Sequence, residues 1–216
     1  MSFLLCSYAV TDYILFALLR SVGGADTTSA MMGWWTLAML AYPETQARAH
    51  AELDAVVGRS RLPTFADLPH LPYIRAMVKE SLRWRPIAPS GVPHQTTADD
   101  WYEGMFIPKG TICITNVWHM NRDPEIFGDN TERFDPARYL DASGDIAPGV
   151  SEIKEQGHFA YGFGRRNCVG RYMADNSLFI NIAVVLWASR MERKKDASGH
   201  PIPLDLDGWV DVGLVV

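Results

Sequence analysis

The ten residues from Tyr161 to Gly170, Tyr-Gly-Phe-Gly-Arg-Arg-Asn-Cys-Val-Gly, place one cysteine, Cys168, after a glycine-dense turn and beside arginines, where a helical stretch begins. Each of these neighbours acts on the sulfur. Cationic side chains and the positive end of a helix favour thiolate over thiol. Glycines let backbone N–H groups come close enough to hydrogen-bond a metal-bound sulfur. An ionised, rigid sulfur open on one side suits coordination of a metal at a single position. Taken alone, the same decamer also reads as a Gly-rich turn with a buried cysteine. Asp26-Thr27 follows the paired glycines Gly23-Gly24 inside a long apolar run. A carboxylate and a hydroxyl beside a locally opened helix can move protons. Glu80 and Arg83 stand at i,i+3, a spacing that brings opposite charges together on a helix, although such pairs usually sit in solvent.

These groups need elements to hold them. Tyr13 to Tyr42 is rich in Ala, Leu and Met and reads as helix up to Pro43, interrupted at Gly23-Gly24. Glycine in a helix costs roughly 1 kcal/mol against Ala. Pro43 reads as the first residue of a second helix that stops at Gly58. After a polar connection from Arg59 to Leu71, a third helix begins near Pro72. It carries Ile74, Met77, Val78 and Leu82 at helical spacing and ends at Pro86. From Ile87 to Thr115 the pattern changes to short extended runs at Val92, Phe106-Ile107 and Ile112 to Ile114. Turns at Asp99-Asp100, Glu103-Gly104 and Lys109-Gly110 divide them. Asn121 to Gly157 reads as loops, the helix after Cys168 runs to about Arg190, and Pro201 to Val216 reads as a hairpin around Asp207-Gly208. The expected fold class is mainly α with a minor β portion.

Composition narrows the function. With 216 residues, 48% of them hydrophobic, and seven Trp, eight Tyr and nine Phe, the chain can bury one sizeable core or two small ones, and global disorder is excluded. The net charge of -5 argues against a nucleic-acid partner. Cys6, Cys113 and Cys168 are odd in number and far apart, which excludes a disulfide framework and suits a reducing, cytosol-facing compartment. Phe3 to Leu19 is apolar, but Asp12 interrupts it, no basic segment precedes it, and Thr11-Asp12 reads as a helix start. A buried core helix is expected there, not a membrane span or a signal peptide.

The decamer ending at Gly170 resembles the proximal haem-binding loop of the cytochrome P-450 superfamily, the haem-thiolate monooxygenases. Three other segments resemble further motifs of that family, in the family's order. Gly23-Gly24-Ala25-Asp26-Thr27-Thr28 is similar to its distal-helix motif, and Glu80-Ser81-Leu82-Arg83 to its Glu-x-x-Arg. Phe134-Asp135-Pro136-Ala137-Arg138-Tyr139 is similar to the segment whose arginine joins that pair. The resemblance runs along essentially the whole chain. Two departures stand out: Tyr161 where the family usually has Phe, and Ala137 where it often has Glu. The family's chains are more than twice as long, so the resemblance implies a fragment or truncated product that begins at the distal helix.

The resemblance implies the C-terminal half of the cytochrome P-450 fold as a single partial domain. Its parts are helices over 1–86, a small β portion over 87–115, a loop-rich meander over 116–157, the cysteine loop and its helix over 158–190, and a C-terminal hairpin over 191–216. It implies haem b with Cys168 as the axial thiolate and iron ligand. Arg166 and His94 would serve the propionates, and Phe163 and Gly24 would complete the cofactor-binding positions. Asp26 and Thr27 would relay protons to dioxygen on the opposite face. Glu80, Arg83 and Arg138 would be a scaffold for the cysteine loop. The implied activity is oxygenation of a small lipophilic substrate with electrons from an NADPH-dependent reductase, which would dock near Arg165 and Arg171. A fungal secondary-metabolism enzyme is a loose likeness. The family is expected on the cytosolic face of the endoplasmic reticulum, whereas this chain, without a clear anchor, would be cytoplasmic. A peroxide-driven peroxygenase or hydroperoxide isomerase would not need the intact Asp26-Thr27 pair. A remnant without stable haem is the other alternative, because an apolar face from Tyr13 to Leu40 left uncovered forfeits about 1.5–3 kcal/mol per large side chain. On that ground the chain alone is expected to bind haem poorly and to aggregate.

Overall fold

A computed structural model describes residues 23–148 and 156–206 of the chain. The Phe3–Leu19 segment, the run 13–22 and the expected hairpin turn at Asp207-Gly208 lie outside the described residues.

Residues 23–41 form α1, helical from Gly23 onward. The stretch before Gly23, on which the expected interruption at Gly23-Gly24 also depends, lies outside the described residues. Both glycines sit within the helix, with no positive φ and no atom near either Cα that a side chain would meet. Thr27 Oγ1 adds a bond of 2.6 Å to the Gly23 carbonyl, reinforcing this turn from the side chain. The buried face of α1 is Met31, Trp35, Ala38 and Met39, at the spacing of one helical stripe. Pro43 opens α2 (Pro43–Val56), and Gly58, at φ 70°, closes it in the left-handed region. The connection that follows is more ordered than its polar sequence suggests. Thr64 and Asp67 form a capping box that starts a 3-10 turn at Phe65–His70.

The third helix, α3 (Pro72–Trp84), is the central element, with ten of its thirteen residues buried. It starts with proline at N1, where a missing N–H costs nothing, and ends just before Pro86. Trp35 Nε1 of α1 donates to Met77 Sδ of α3 at 3.1 Å. Glu52 of α2 accepts the Tyr73 and Ile74 N–H groups at 2.8 and 3.0 Å, satisfying the exposed donors of the first turn of α3.

Four short strands follow as two separate ladders. β1 (His94–Gln95) pairs antiparallel with β4 (Ile112–Cys113), and β2 (Asp100–Tyr102) pairs with β3 (Met105–Ile107). Glu103 and Gly104 link β2 to β3 with φ 49° and 80°, the two positive values that a two-residue hairpin turn needs. Val92 and Ile114 stay outside the strands, and Asp100 belongs to β2 and not to a turn. The meander holds α4 (Val117–Met120), α5 (Pro124–Phe127) and a 3-10 turn at Pro136–Tyr139. Asn116, Asp123 and Asp135 each accept an N–H at the start of one of these turns.

The last helix, α6 (Arg171–Ala188), buries Leu178, Phe179, Ile182, Ala183 and Leu186 against α2 and α3. Beyond it, Gln46 exchanges two bonds with the backbone of Met191, at 3.0 and 2.7 Å. Lys195 bridges to Pro201 around a turn at Asp196–Gly199. The result is mainly α with a small β part. No helix among the described residues is long and apolar enough to cross a membrane. Replacing Glu52 by Ala strands two N–H groups at the head of the central helix. A loss of about 1–2 kcal/mol in urea unfolding is expected, and a midpoint equal to the parent's would remove Glu52 from the clamp.

Candidate functional site

The Glu80 carboxylate has no solvent exposure. A bare charge there would be costly, and it is surrounded by donors. Arg83, one turn along α3, gives a two-pronged pair: Nε to Oε2 at 2.7 Å and Nη2 to Oε1 at 2.8 Å. Arg138, from the turn after α5, adds Nε to Oε1 at 3.1 Å, and the Asp135 N–H adds a bond of 2.7 Å. Burial alone would push the Arg83 guanidinium down, but the Glu80 carboxylate beside it holds it above its ordinary value. The remaining arginine donors end on backbone carbonyls of the meander. Arg83 reaches Asn121 and Thr131 at 2.9 and 2.8 Å, and Arg138 reaches Phe127 and Asn130 at 2.6 and 2.8 Å. One carboxylate thus draws the meander onto α3 through two planar forks.

The meander then holds the cysteine loop. Asn121 is fully buried; its carbonyl takes the Arg83 bond while its side-chain Oδ1 accepts the Phe159 N–H at 2.9 Å. Aromatic contacts follow the same route, with Phe127 against Phe159 at 6.5 Å and Phe159 against Phe163 at 5.7 Å between ring centroids. Sequence reasoning did not single out Asn121. Its only local sign is the Asn-Arg-Asp-Pro run that starts α5.

In the loop itself, Gly162 and Gly164 take φ of 76° and 54°, which lets the chain double back within a few residues. A 3-10 turn over Gly164–Arg166 follows, and the Cys168 N–H donates to the Tyr161 carbonyl at 2.8 Å, closing the loop. Cys168 is exposed and in no disulfide. Gly170 is the N-cap of α6, so the cysteine lies just ahead of the helix's positive end. Phe163, Val169 and Met173 are exposed near it in sequence, and the exposed Arg166 side chain makes no hydrogen bond among the described residues. A lone accessible thiol with apolar neighbours and an open guanidinium fits an apolar macrocycle that carries carboxylates at its edge and needs one ligand from the protein.

Behind the loop, a cleft of about 1020 Å³ is bordered by Lys79, His158, Phe159, Phe163, Arg171 and Asp175. His158 is buried and accepts the Ala160 N–H at Nδ1, 3.2 Å. Burial, with a lesser push from the Lys79 charge, lowers its pKa from 6.5 to about 3, so the imidazole is neutral. It too escaped the sequence reading.

The other expected residues lie apart. Asp26 is exposed near the start of α1, Thr27 is half-buried with its hydroxyl on Gly23, and Gly24 faces open space. His94 is exposed on β1 opposite Cys113. No hydrogen bond among the described residues joins Asp26, Thr27 or His94 to Arg166 or Cys168.

A buried Glu-x-x-Arg pair closed by a later arginine, and a free cysteine on a glycine-turned loop before a helix, mark a mainly α protein of the class its four motifs resemble. The sequence model of the cytochrome P-450 family matches residues 16–205, and the chain belongs to that family. It is 65% identical over 192 residues to a cytochrome P-450 monooxygenase of Armillaria gallica, covering 89% of this chain and 37% of that relative. Cytochrome P-450 monooxygenase 58 of Postia placenta is 54% identical over 192 residues, 89% of this chain and 36% of the relative. The monooxygenase iboC of Amanita muscaria is 40% identical over 238 aligned positions, 89% of this chain and 42% of the relative. The chain thus spans little more than a third of the length of the first two of these relatives.

Two outcomes are expected. Arg83→Lys keeps a charge but loses the fork and leaves carbonyls unmet, so it should cost about 3–5 kcal/mol, as breaking a buried pair does. A thermal melt like the parent's would show the network to be dispensable. For His158, the folded state refuses a proton that the unfolded chain takes up between pH 6.5 and about 3. Its contribution is therefore neutral above that window, and stability falls as pH drops through it, by up to about 1.4 kcal/mol per unit. His158→Phe should flatten this part of the profile of unfolding free energy against pH, and superimposable profiles would place His158 in contact with water.

Proposed function

We propose that this protein inserts one atom of dioxygen into a small lipophilic organic substrate at a bound haem, while the other atom leaves as water with two electrons and two protons. The electrons come from NADPH through a reductase. The observation that carries this reading is Cys168: an exposed thiol on a loop closed by its own amide bond to Tyr161, just ahead of α6. Family membership and the relatives named as monooxygenases support it.

Haem b, when bound, supplies the redox chemistry that activates dioxygen. The chain's residues bind it and manage protons. Cys168 would hold the haem iron through its thiolate, and the glycines around it leave the sulfur accessible. Arg166 and His94 would pair with the carboxylates of the bound haem, and Phe163 and Gly24 would complete the positions that hold it. Thr27 Oγ1 now donates to Gly23, so its proton becomes available to the reaction only when that bond is released. Asp26, exposed on the same turn, would join Thr27 in relaying protons to dioxygen. Glu80, Arg83 and Arg138 take no part in the chemistry and hold the meander that supports the loop. Residues 1–216 then act as one partial domain of a family expected on the cytosolic face of the endoplasmic reticulum.

The test is spectroscopic. In a chain long enough to enclose haem, the reduced carbon monoxide complex of the parent should show the strongly red-shifted Soret band of a thiolate ligand. Cys168→Ser should abolish it and Cys113→Ser should retain it. A Cys168→Ser protein that kept the band would exclude Cys168 as the ligand.

A further inference from the structure

Tyr161 stands where the family resemblance led us to expect phenylalanine, and its extra hydroxyl is used. The ring is buried, and the hydroxyl donates to Asp175 Oδ1 at 2.6 Å. Asp175 lies in the second turn of α6, on the helix that the cysteine limb of the loop runs into. The same tyrosine accepts the Cys168 N–H at its carbonyl, at 2.8 Å. Tyr161 is therefore fastened at both ends. Its main chain holds the cysteine, and its side chain holds the helix that begins three residues after the cysteine. His158 packs edge-on against the ring at 5.0 Å between centroids, which limits its rotation. A buried hydroxyl without a partner is unfavourable, so the bond to Asp175 also fixes where the ring can sit. Phenylalanine would fill the same space and leave the carboxylate without this donor.

We propose that Tyr161 and Asp175 form a positioning pair that sets the orientation of Cys168 relative to α6. The functional meaning rests on the reading of Cys168 as the axial ligand, whereas the geometric claim stands by itself. The pair triangulates the loop. Cys168 N–H to Tyr161 C=O, Tyr161 O–H to Asp175, and the covalent path from Cys168 into α6 make a closed circuit that allows little independent motion of the Cys168 main chain.

Amide hydrogen exchange of residues 1–216 without added haem tests this, read at single-residue resolution. Tyr161→Phe and Asp175→Ala should each speed exchange of the Cys168 amide by roughly tenfold, while the Ile182 amide in the core of α6 stays at the parent rate. Asp175→Asn keeps an acceptor oxygen and should restore slow exchange. The double variant Tyr161→Phe/Asp175→Ala should match either single variant. Parent-like exchange at Cys168 in both single variants would overturn the proposal. Equal acceleration at Ile182 would do the same, as would additive effects in the double variant. Because no haem is present, these outcomes are independent of the Cys168→Ser spectrum, so failure of the positioning pair and failure of the ligand assignment are told apart.

Discussion

Everything around the cysteine loop depends on one carboxylate with no access to water. Taking an ion out of water costs several kcal/mol even after relaxation. At Glu80 this is offset only because Arg83, Arg138 and the Asp135 N–H converge on its two oxygens. Once the two guanidinium groups are committed there, their other N–H groups must be satisfied as well. The nearest acceptors are carbonyls of a segment with little regular structure of its own. Much of the fold of the meander is thereby decided: it is laid down as a set of acceptors for two arginines.

From there, order passes outward in short steps. Asn121 gives its carbonyl to Arg83 and its side chain to Phe159, so the buried charge network and the start of the cysteine loop share a residue. The loop adds local closure through two left-handed glycines and the Cys168–Tyr161 bond. Tyr161 carries the constraint into α6. The exposed Cys168 thus sits on a main chain tied to Tyr161, which is itself tied to α6.

The opposite regions are built differently. The two-stranded ladders expose Trp101, Phe106 and Ile112, Ile114 is exposed just past β4, and Val169 and Met173 are exposed beside Cys168 in sequence. Two-stranded ribbons are marginal by themselves, and apolar surface of this extent is usually a contact surface. His94 lies on one of these ladders. Asp26, His94, Arg166 and Cys168 are exposed, whereas the scaffold residues Glu80 and Arg83 are packed.

The sequence by itself determined the helices and the short-range chemistry. Proline at N1 and glycine after the last turn mark α2, apolar spacing marks α3, and the glycine-turned decamer identifies Cys168, because these signals act between residues a few positions apart. Its reading stopped short in the Arg59–Leu71 connection, where a capping box adds a 3-10 turn. Only the tertiary structure decided which partners meet across long separations. Arg138 reaches Glu80 from 58 residues away and Asn121 reaches Phe159 from 38. His158 is neutral because of what covers it, and the Tyr161 hydroxyl matters because Asp175 arrives beside it on another element. Such contacts depend on how helices pack and where water is excluded, and no local pattern of residue types encodes either.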